Sequence, residues 1–346
     1  MTIYQYKLDF NESTNQRIDV MPQPRSSQIS LSDTPYYHCV SRCVRRSFLC
    51  GIDSYSGQSY EHRRGWVEQR LLFLSSVFSI DICAYAVMSN HVHLVLHVDM
   101  KQTQVWSDYE VVQRWHRLHK GTLLTQKFVK GDTLSQGEQL TLDFTIAEYR
   151  RRLHDISWLM RDLNENIARE ANKEDDCTGR FWEGRFKSQA LLDESAVLSC
   201  MAYVDLNPIR AKLANTPDTS EYTSIKKRLG SIKHPTITHS LIPFVGNPRH
   251  DIPKGIAFSL QDYCELVDIT ARVIRHDNTG YIDHEQQPML QRLGLSGEQW
   301  LTLTTEFEQH FCYAAGAEMM MSQFKAHTGH QRIRGMSQAK TLFCCA

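Results

Sequence analysis

Tyr85–Asp99 reads Y-A-V-M-S-N-H-V-H-L-V-L-H-V-D, and how that stretch folds decides how the rest of the chain is arranged. It is apolar on both sides of a short polar break at Ser89–Asn90. Val87, Val92, Val95, Leu96 and Val98 are residues that fit a pleated sheet. The pattern predicts two strands joined by a tight turn at Ser89–Asn90, with His91 and His93 opening the second. Side chains two apart on a strand point to the same face. The two imidazoles therefore project together, close enough to grip one divalent cation. The other reading of the same pattern is a pair of histidines half-buried at a strand end. His97 shares the face but lies four residues beyond His93, roughly 13 Å at about 3.3 Å per residue, too far to join the same ion.

Working outward, Tyr36–Arg45 alternates apolar and polar residues and reads as a strand, with Arg42, Arg45 and Arg46 on or just after it. Such arginines are more commonly a solvated edge, and they also suit phosphate contact. Residues 1–33 are polar, with Pro22, Pro24 and two serines, and read as a loosely ordered arm. Ser59–Ser79 reads as a helix with Trp66, Leu71, Phe73, Leu74 and Phe78 as core candidates. Asp108–Leu118 reads as a short helix. Residues 120–144 lack a clear period and read as an insertion or extended loop. Ile146–Ala171 carries apolar residues at helical spacing and is expected to be one long amphipathic helix. Its other side carries Arg150, Arg151, Arg152, Arg161 and Arg169, and the basic residues continue into Arg180, Arg185 and Lys187, interleaved with Phe181, Trp182 and Phe186. A charged helical face is ordinarily just solvated. Arginines mixed with aromatic rings also suit single-stranded nucleic acid, whose phosphates need cations and whose bases stack.

Gly179–Leu192 begins in a turn and ends as a strand. Asp193 is placed to cap a helix over Glu194–Leu206 that ends near Pro208. Tyr203 and Asn207 lie one helical turn apart and share a face. A tyrosine there is ordinarily core, and an asparagine before proline an ordinary helix end. Six of the ten prolines fall between 208 and 253, so residues 216–255 read as a Pro-rich linker. Two helices are expected after it, starting near Ser259 and Ser296, and residues 256–346 read as a helical accessory region.

The chain has 346 residues, 41% of them hydrophobic and 23% charged, as in a soluble globular protein. Its formal net charge is zero, so affinity for nucleic acid would require basic residues gathered on one face. No apolar run approaches the ~20 residues of a membrane span, and the first ten residues lack a cationic start followed by an apolar stretch. The ten cysteines form no C-x-x-C pair, and several sit in apolar segments as small core residues. A reducing, cytoplasmic setting with no membrane contact is expected.

Taken in order, the elements run strand, helix, strand, strand, helix, strand, helix. That is an α+β plan, a ferredoxin-like antiparallel sheet with helices on one face. At this point the chain resembles a known family. H-V-H at 91–93, after Y-A-V-M-S-N, is similar to the His–hydrophobic–His motif of the HUH single-strand DNA endonucleases. Y-Y-H-C-V-S-R at 36–42, G-R-F-W-E-G-R-F-K-S at 179–188 and A-Y-V-D-L-N-P-I-R-A at 202–211 narrow the resemblance to the REP-associated tyrosine transposases. The resemblance covers roughly residues 34–215, with 120–144 long for a compact member.

The resemblance implies that His91 and His93 are metal ligands, that Tyr203 is the nucleophile and that Asn207 is a third polar ligand one turn after it. Two imidazoles and a neutral amide would leave an open site for Mg²⁺ or Mn²⁺. It implies cutting and rejoining of single-stranded or hairpin DNA through a 5′-phosphotyrosine, by a monomer or a homodimer. Arg42, Arg45, Arg150, Arg161, Arg180, Trp182, Arg185 and Lys187 are the residues expected to bind the nucleic acid. The rival reading is a domesticated protein that binds folded single-stranded DNA or RNA without cutting. No G-x-x-x-x-G-K-[ST] loop occurs, which argues against a fused helicase.

Overall fold

The structure, a computed structural model, describes residues 28–44, 49–53, 57–233, 241–246, 254–275 and 287–343. It is built around strand β1 (Tyr36–Arg42) and the hairpin β2 (Ile80–Val87) and β3 (His91–Val98), with helix α1 (His62–Ser75) between them. The turn falls at Ser89–Asn90, where Met88 N–H donates to the His91 carbonyl at 2.9 Å. β3 pairs antiparallel with β1, placing His93 opposite Val40 and His91 opposite Arg42.

Both faces of β3 are buried: Val92, Leu94 and Leu96 on one, His93 and Val95 on the other. A strand dry on both sides needs a layer over each face. Helix α6, introduced below, lies over the first face, where Asn164 Nδ2 donates to Ser41 Oγ at 2.8 Å and α1 packs beside it. Helix α7 (Glu194–Asp205) lies over the face that carries His93. This corrects the expectation of helices on one face only.

Between β3 and the next strand come α2 (Met100–Val105), α3 (Asp108–His116), α4 (Leu123–Lys130), α5 (Gln136–Arg152) and α6 (Ile156–Glu174). Two expectations are corrected here. Residues 120–144 are largely helical rather than an extended loop. Thr122 and Ser135 begin α4 and α5 with reciprocal capping boxes, and Gly131 ends α4 in the left-handed conformation at φ 79°. The expected single helix over 146–171 is broken at Leu153–Asp155, where the Asp155 carboxylate takes the Ser157 N–H at 2.7 Å and starts a new helix.

Strand β4 (Lys187–Leu191) pairs antiparallel with β1 on the side away from β3. After α7 the chain makes α8 (Asn207–Arg210), with Pro208 inside its first turn, where the missing N–H is no loss. The expected Pro-rich linker is partly structured: α9 (Ser224–Lys233) packs on β2. There the buried Arg228 donates to the carbonyls of Cys83 at 2.8 Å and Ile242 at 3.2 Å. Then follow α10 (Leu260–Arg275), α11 (Gln287–Arg292), α12 (Gly297–His310), β5 (Ala314–Ala315), α13 (Glu318–Thr328) and α14 (Met336–Leu342). The C-terminal region is thus not purely helical. β5 joins β4 in parallel, so the sheet is mixed, in the order β2-β3-β1-β4-β5, where an all-antiparallel sheet was expected. No helix among the described residues is long and apolar enough to cross a membrane.

Candidate active site

The register of β1 against β3 brings a third histidine to the expected pair. His38 and Val40 share a face, and Val40 sits opposite His93, so His38 is a diagonal neighbour of His93. His38 Nε2 lies 3.0 Å from His93 Nδ1, with the rings stacked at 5.2 Å. On the other side, His38 Nδ1 lies 3.2 Å from Oε1 of Gln189, its cross-strand partner on β4. An amide oxygen only accepts, and the His38 tautomer with its proton on Nδ1 would donate to it and turn a lone pair on Nε2 toward His93. The rings of His91 and His93 are 4.7 Å apart, with His91 Nδ1 at 2.6 Å from Asn90 Oδ1. His97 is drawn elsewhere, to Asp81 at 2.9 Å.

All three site imidazoles are held neutral. Burial lowers the pKa of His38 and takes that of His93 well below the ordinary value, where the neighbouring histidines add to the effect. His91 is lowered to about 4, first by burial and then by Arg42. Neutral imidazoles keep the lone pairs that a cation needs.

Tyr203 reaches this group from α7, whose start Asp193 fixes by accepting the Ala196 N–H at 2.8 Å. Its ring lies 6.0 Å from that of His93 and 6.3 Å from that of His38. The side chain is only 7% exposed and its hydroxyl donates to Glu308 Oε2 at 3.2 Å. Burial raises the phenol pKa, with Arg210 opposing and Glu308 adding to the rise. The Arg210 guanidinium sits 3.8 Å from the ring centroid and donates to the Tyr203 and Thr304 carbonyls. Asn207 is buried at the start of α8, one turn beyond Tyr203.

Among the described residues, His38, His93 and Glu308 form a group whose ligand atoms all lie within 4.8 Å of one another. His91 is not a member of it. Two imidazoles and a carboxylate are a donor set for a borderline transition ion such as Zn²⁺; the harder Mn²⁺ would draw chiefly on the carboxylate and water, and Mg²⁺ is the poorest match. Glu308 escapes sequence reading altogether, because only the tertiary fold brings α12 to the tyrosine, whereas Arg210 stands in the A-Y-V-D-L-N-P-I-R-A stretch at 202–211 with nothing there to mark it as a site residue. The signal for His38 is the alternation of Y-Y-H-C-V, which puts it on the face of Val40 and Arg42. Which strand β1 pairs with is not written there.

A cavity of about 230 Å³ opens beside the group, lined by His38, Arg42, Arg185, Lys187, Glu308 and Arg334 among others. Arg42, Arg185 and Lys187 are three of the expected nucleic-acid contacts, and all three line this cavity. Arg150, Arg161, Arg180 and Trp182 are not among its lining residues. Arg150 is tied to Asp108 and to the carbonyls of Thr103 and Trp106. Arg161 lies over the Trp158 ring and pairs with Glu165. Arg180 donates to the Glu183 carbonyl, and Trp182 Nε1 donates to the Asn164 carbonyl at 2.8 Å. Arg45 lies outside the described residues.

No family model matches the chain. No curated protein matches it either. Among solved structures, the chain is similar to a REP-associated tyrosine transposase bound to a REP hairpin, at 10% identity and a TM-score of 0.34, over 64% of this chain and 92% of that one. A likeness that remote leaves the functional reading to the geometry of the site.

Proposed function

We propose that this protein is a divalent-cation-dependent DNA endonuclease and strand transferase of the transposase type, acting on single-stranded or hairpin DNA. The observation that carries the reading is a tyrosine on a helix whose ring packs against neutral, buried histidines, beside a cavity that Arg42, Arg185 and Lys187 line. The order of the antiparallel strands, β4-β1-β3-β2, is also the one a ferredoxin-like β-α-β-β-α-β unit makes, in keeping with the resemblance to HUH nucleases.

On this reading Arg42, Arg185 and Lys187 hold the strand by its phosphates, which fixes position rather than sequence. The Tyr203 oxygen attacks the phosphorus in line. The bond from phosphorus to the 3′ oxygen breaks, the proton that the Tyr203 hydroxyl gives up is matched by the one the 3′ oxygen takes as it leaves as a hydroxyl, and the phosphate stays on Tyr203 as a 5′-phosphotyrosine. The ester conserves the bond energy, so a second 3′ hydroxyl reverses the step and joins strands. A divalent ion held among the histidines, with His91, His93 and Asn207 the set the resemblance implies, would neutralise charge on the phosphate.

The test is a denaturing gel of labelled single-stranded hairpin DNA with Mn²⁺ and either wild type or Tyr203→Phe. A protein–DNA adduct in wild type, absent from the variant, is expected. A second reading has its own observation: the Tyr203 hydroxyl is engaged by Glu308 and its ring lies 5.9 Å from that of Phe307, an arrangement that also suits a protein that binds without cutting. Equal hairpin binding by both proteins, with no adduct in either, would select that reading.

A further inference from the structure

The C-terminal region reaches the site through one side chain. α12 begins with a Ser296–Gln299 capping box and packs along α7, the helix that carries Tyr203. Near its end the backbone leaves helical geometry at Glu306, with φ −126° and ψ 19°. Phe307 and Glu308 follow. Phe307 is buried against the rings of Tyr203 and His38, and the Glu308 carboxylate stands beside the His38–His93 pair. A break of helical geometry inside an otherwise regular helix is a feature that recurs where side chains are aimed at a site.

We infer that His38, His93 and Glu308 are the ligands of one divalent transition ion, so that the C-terminal helix α12 supplies the third ligand and Asn207 does not. Geometry supports this in three ways. His38 Nε2 and His93 Nδ1 face each other at 3.0 Å, close enough for one ion to take a lone pair from each. Gln189 holds His38 from behind, the kind of outer contact that orients a ligating imidazole. Glu308 has two oxygens, so it can keep the Tyr203 hydroxyl on one and offer lone pairs of the carboxylate to the ion. Its negative charge also offsets Arg210, the cation beside the tyrosine ring. An ion held there stands next to the Tyr203 hydroxyl.

This inference deepens the proposed function by naming the ligands of its cation, yet it concerns binding alone and can be tested without DNA. Full-length chain, stripped with a chelator, is titrated with Mn²⁺ by calorimetry and with Co²⁺ by its visible absorption. Wild type is expected to take one ion per chain. Glu308→Gln and His38→Gln are expected to weaken it at least tenfold, with Asn207→Ala within twofold of wild type. Metal-free melting curves check the fold of each variant, and should Glu308→Gln fail to fold, Glu308→Asp, which keeps the charge and draws it back by one carbon, carries the test with an expected affinity between those of wild type and His38→Gln. Undiminished affinity in Glu308→Gln, loss in Asn207→Ala, or no binding in wild type overturns the inference. A chain that binds metal through these residues but leaves hairpin DNA uncut upholds the site and removes the endonuclease reading. Cleavage with Glu308→Gln at full metal affinity does the reverse.

Discussion

Asp205, two residues beyond Tyr203, shows what a single buried group contributes. It is fully buried, takes hydrogen bonds from Ser224 Oγ, the Ile225 N–H and Tyr263 Oη, and lies near the charge of Arg228. Burial nevertheless outweighs these partners and raises its carboxyl to about 6. An unfolded aspartate titrates near about 3.9, so the folded chain holds this proton more tightly. The stability it contributes is complete below about pH 4 and is lost as pH rises through about 6. The buried histidines act in the opposite sense: with folded pKa values below the ordinary one, their contribution is present above about 6.5 and is lost as pH falls toward the lowered values. Asp205→Asn separates the two. In urea titrations at pH 4.5 and 7, the stability of wild type relative to Asp205→Asn is expected to fall as pH rises, and a constant difference would refute the assignment. At this scale the legible residues were those in local patterns: His91 and His93 two apart on a strand, Tyr203 on a capped helix. His38 and Glu308 join them only through strand register and helix packing, which connect positions as far apart as 55 residues for His38 and His93 and 105 for Tyr203 and Glu308.

Elements tell the same story with different causes. β3 and α7 were readable because their apolar residues are dense and their ends are marked, by Ser89–Asn90 and by Asp193. α5 buries only Leu142, Ile146 and Tyr149, too sparse a row to give residues 120–144 a period. Yet its start was written as S-x-x-E at Ser135–Glu138, a capping box that periodicity ignores. The caps also tie elements together. One Asp193 oxygen takes the Ala196 N–H at the start of α7, and the other takes the Ala317 N–H at 2.6 Å, just beyond β5. Gly316 lies between them at φ 150°, where an added Cβ would meet that oxygen at 2.7 Å. Asp193→Ala removes a cap, worth about 1 kcal/mol, and strands a backbone donor, worth about 1–3 kcal/mol. A loss of about 2–4 kcal/mol in urea unfolding is expected, with Asp193→Asn, whose amide oxygen still accepts, losing less than half as much. Equal losses from both would show that charge, not the hydrogen bonds, holds this junction.

For the whole molecule the question is whether the C-terminal region is an appendage or part of the core. A Pro-rich stretch followed by helices suggested an accessory region, because proline density is visible in sequence and long-range packing is not. The contacts argue for one unit. β5 adds an edge to the central sheet through Ala190 and Leu191. α12 buries Trp300, Leu303 and Phe307, with Phe307 in contact with the tyrosine of α7. Tyr263 of α10 donates to Asp205 inside the core, and Trp300 Nε1 donates to Thr270 Oγ1 at 2.9 Å with no exposed surface. Removing residues 256–346 would uncover the apolar side of α7 and leave Asp205 short of a partner, two of the ways a chain loses its fold rather than a module. Chain 1–255 is therefore expected to lack the sharp near-ultraviolet circular dichroism of fixed aromatic packing. Full-length protein is expected to unfold in urea in one transition, seen alike by far-ultraviolet circular dichroism and by the Trp300 contribution to fluorescence, obtained as the difference from Trp300→Phe. Two separated transitions, or a truncated chain with intact aromatic signals, would make the C-terminal region an independent domain and would detach Glu308 from the site it faces.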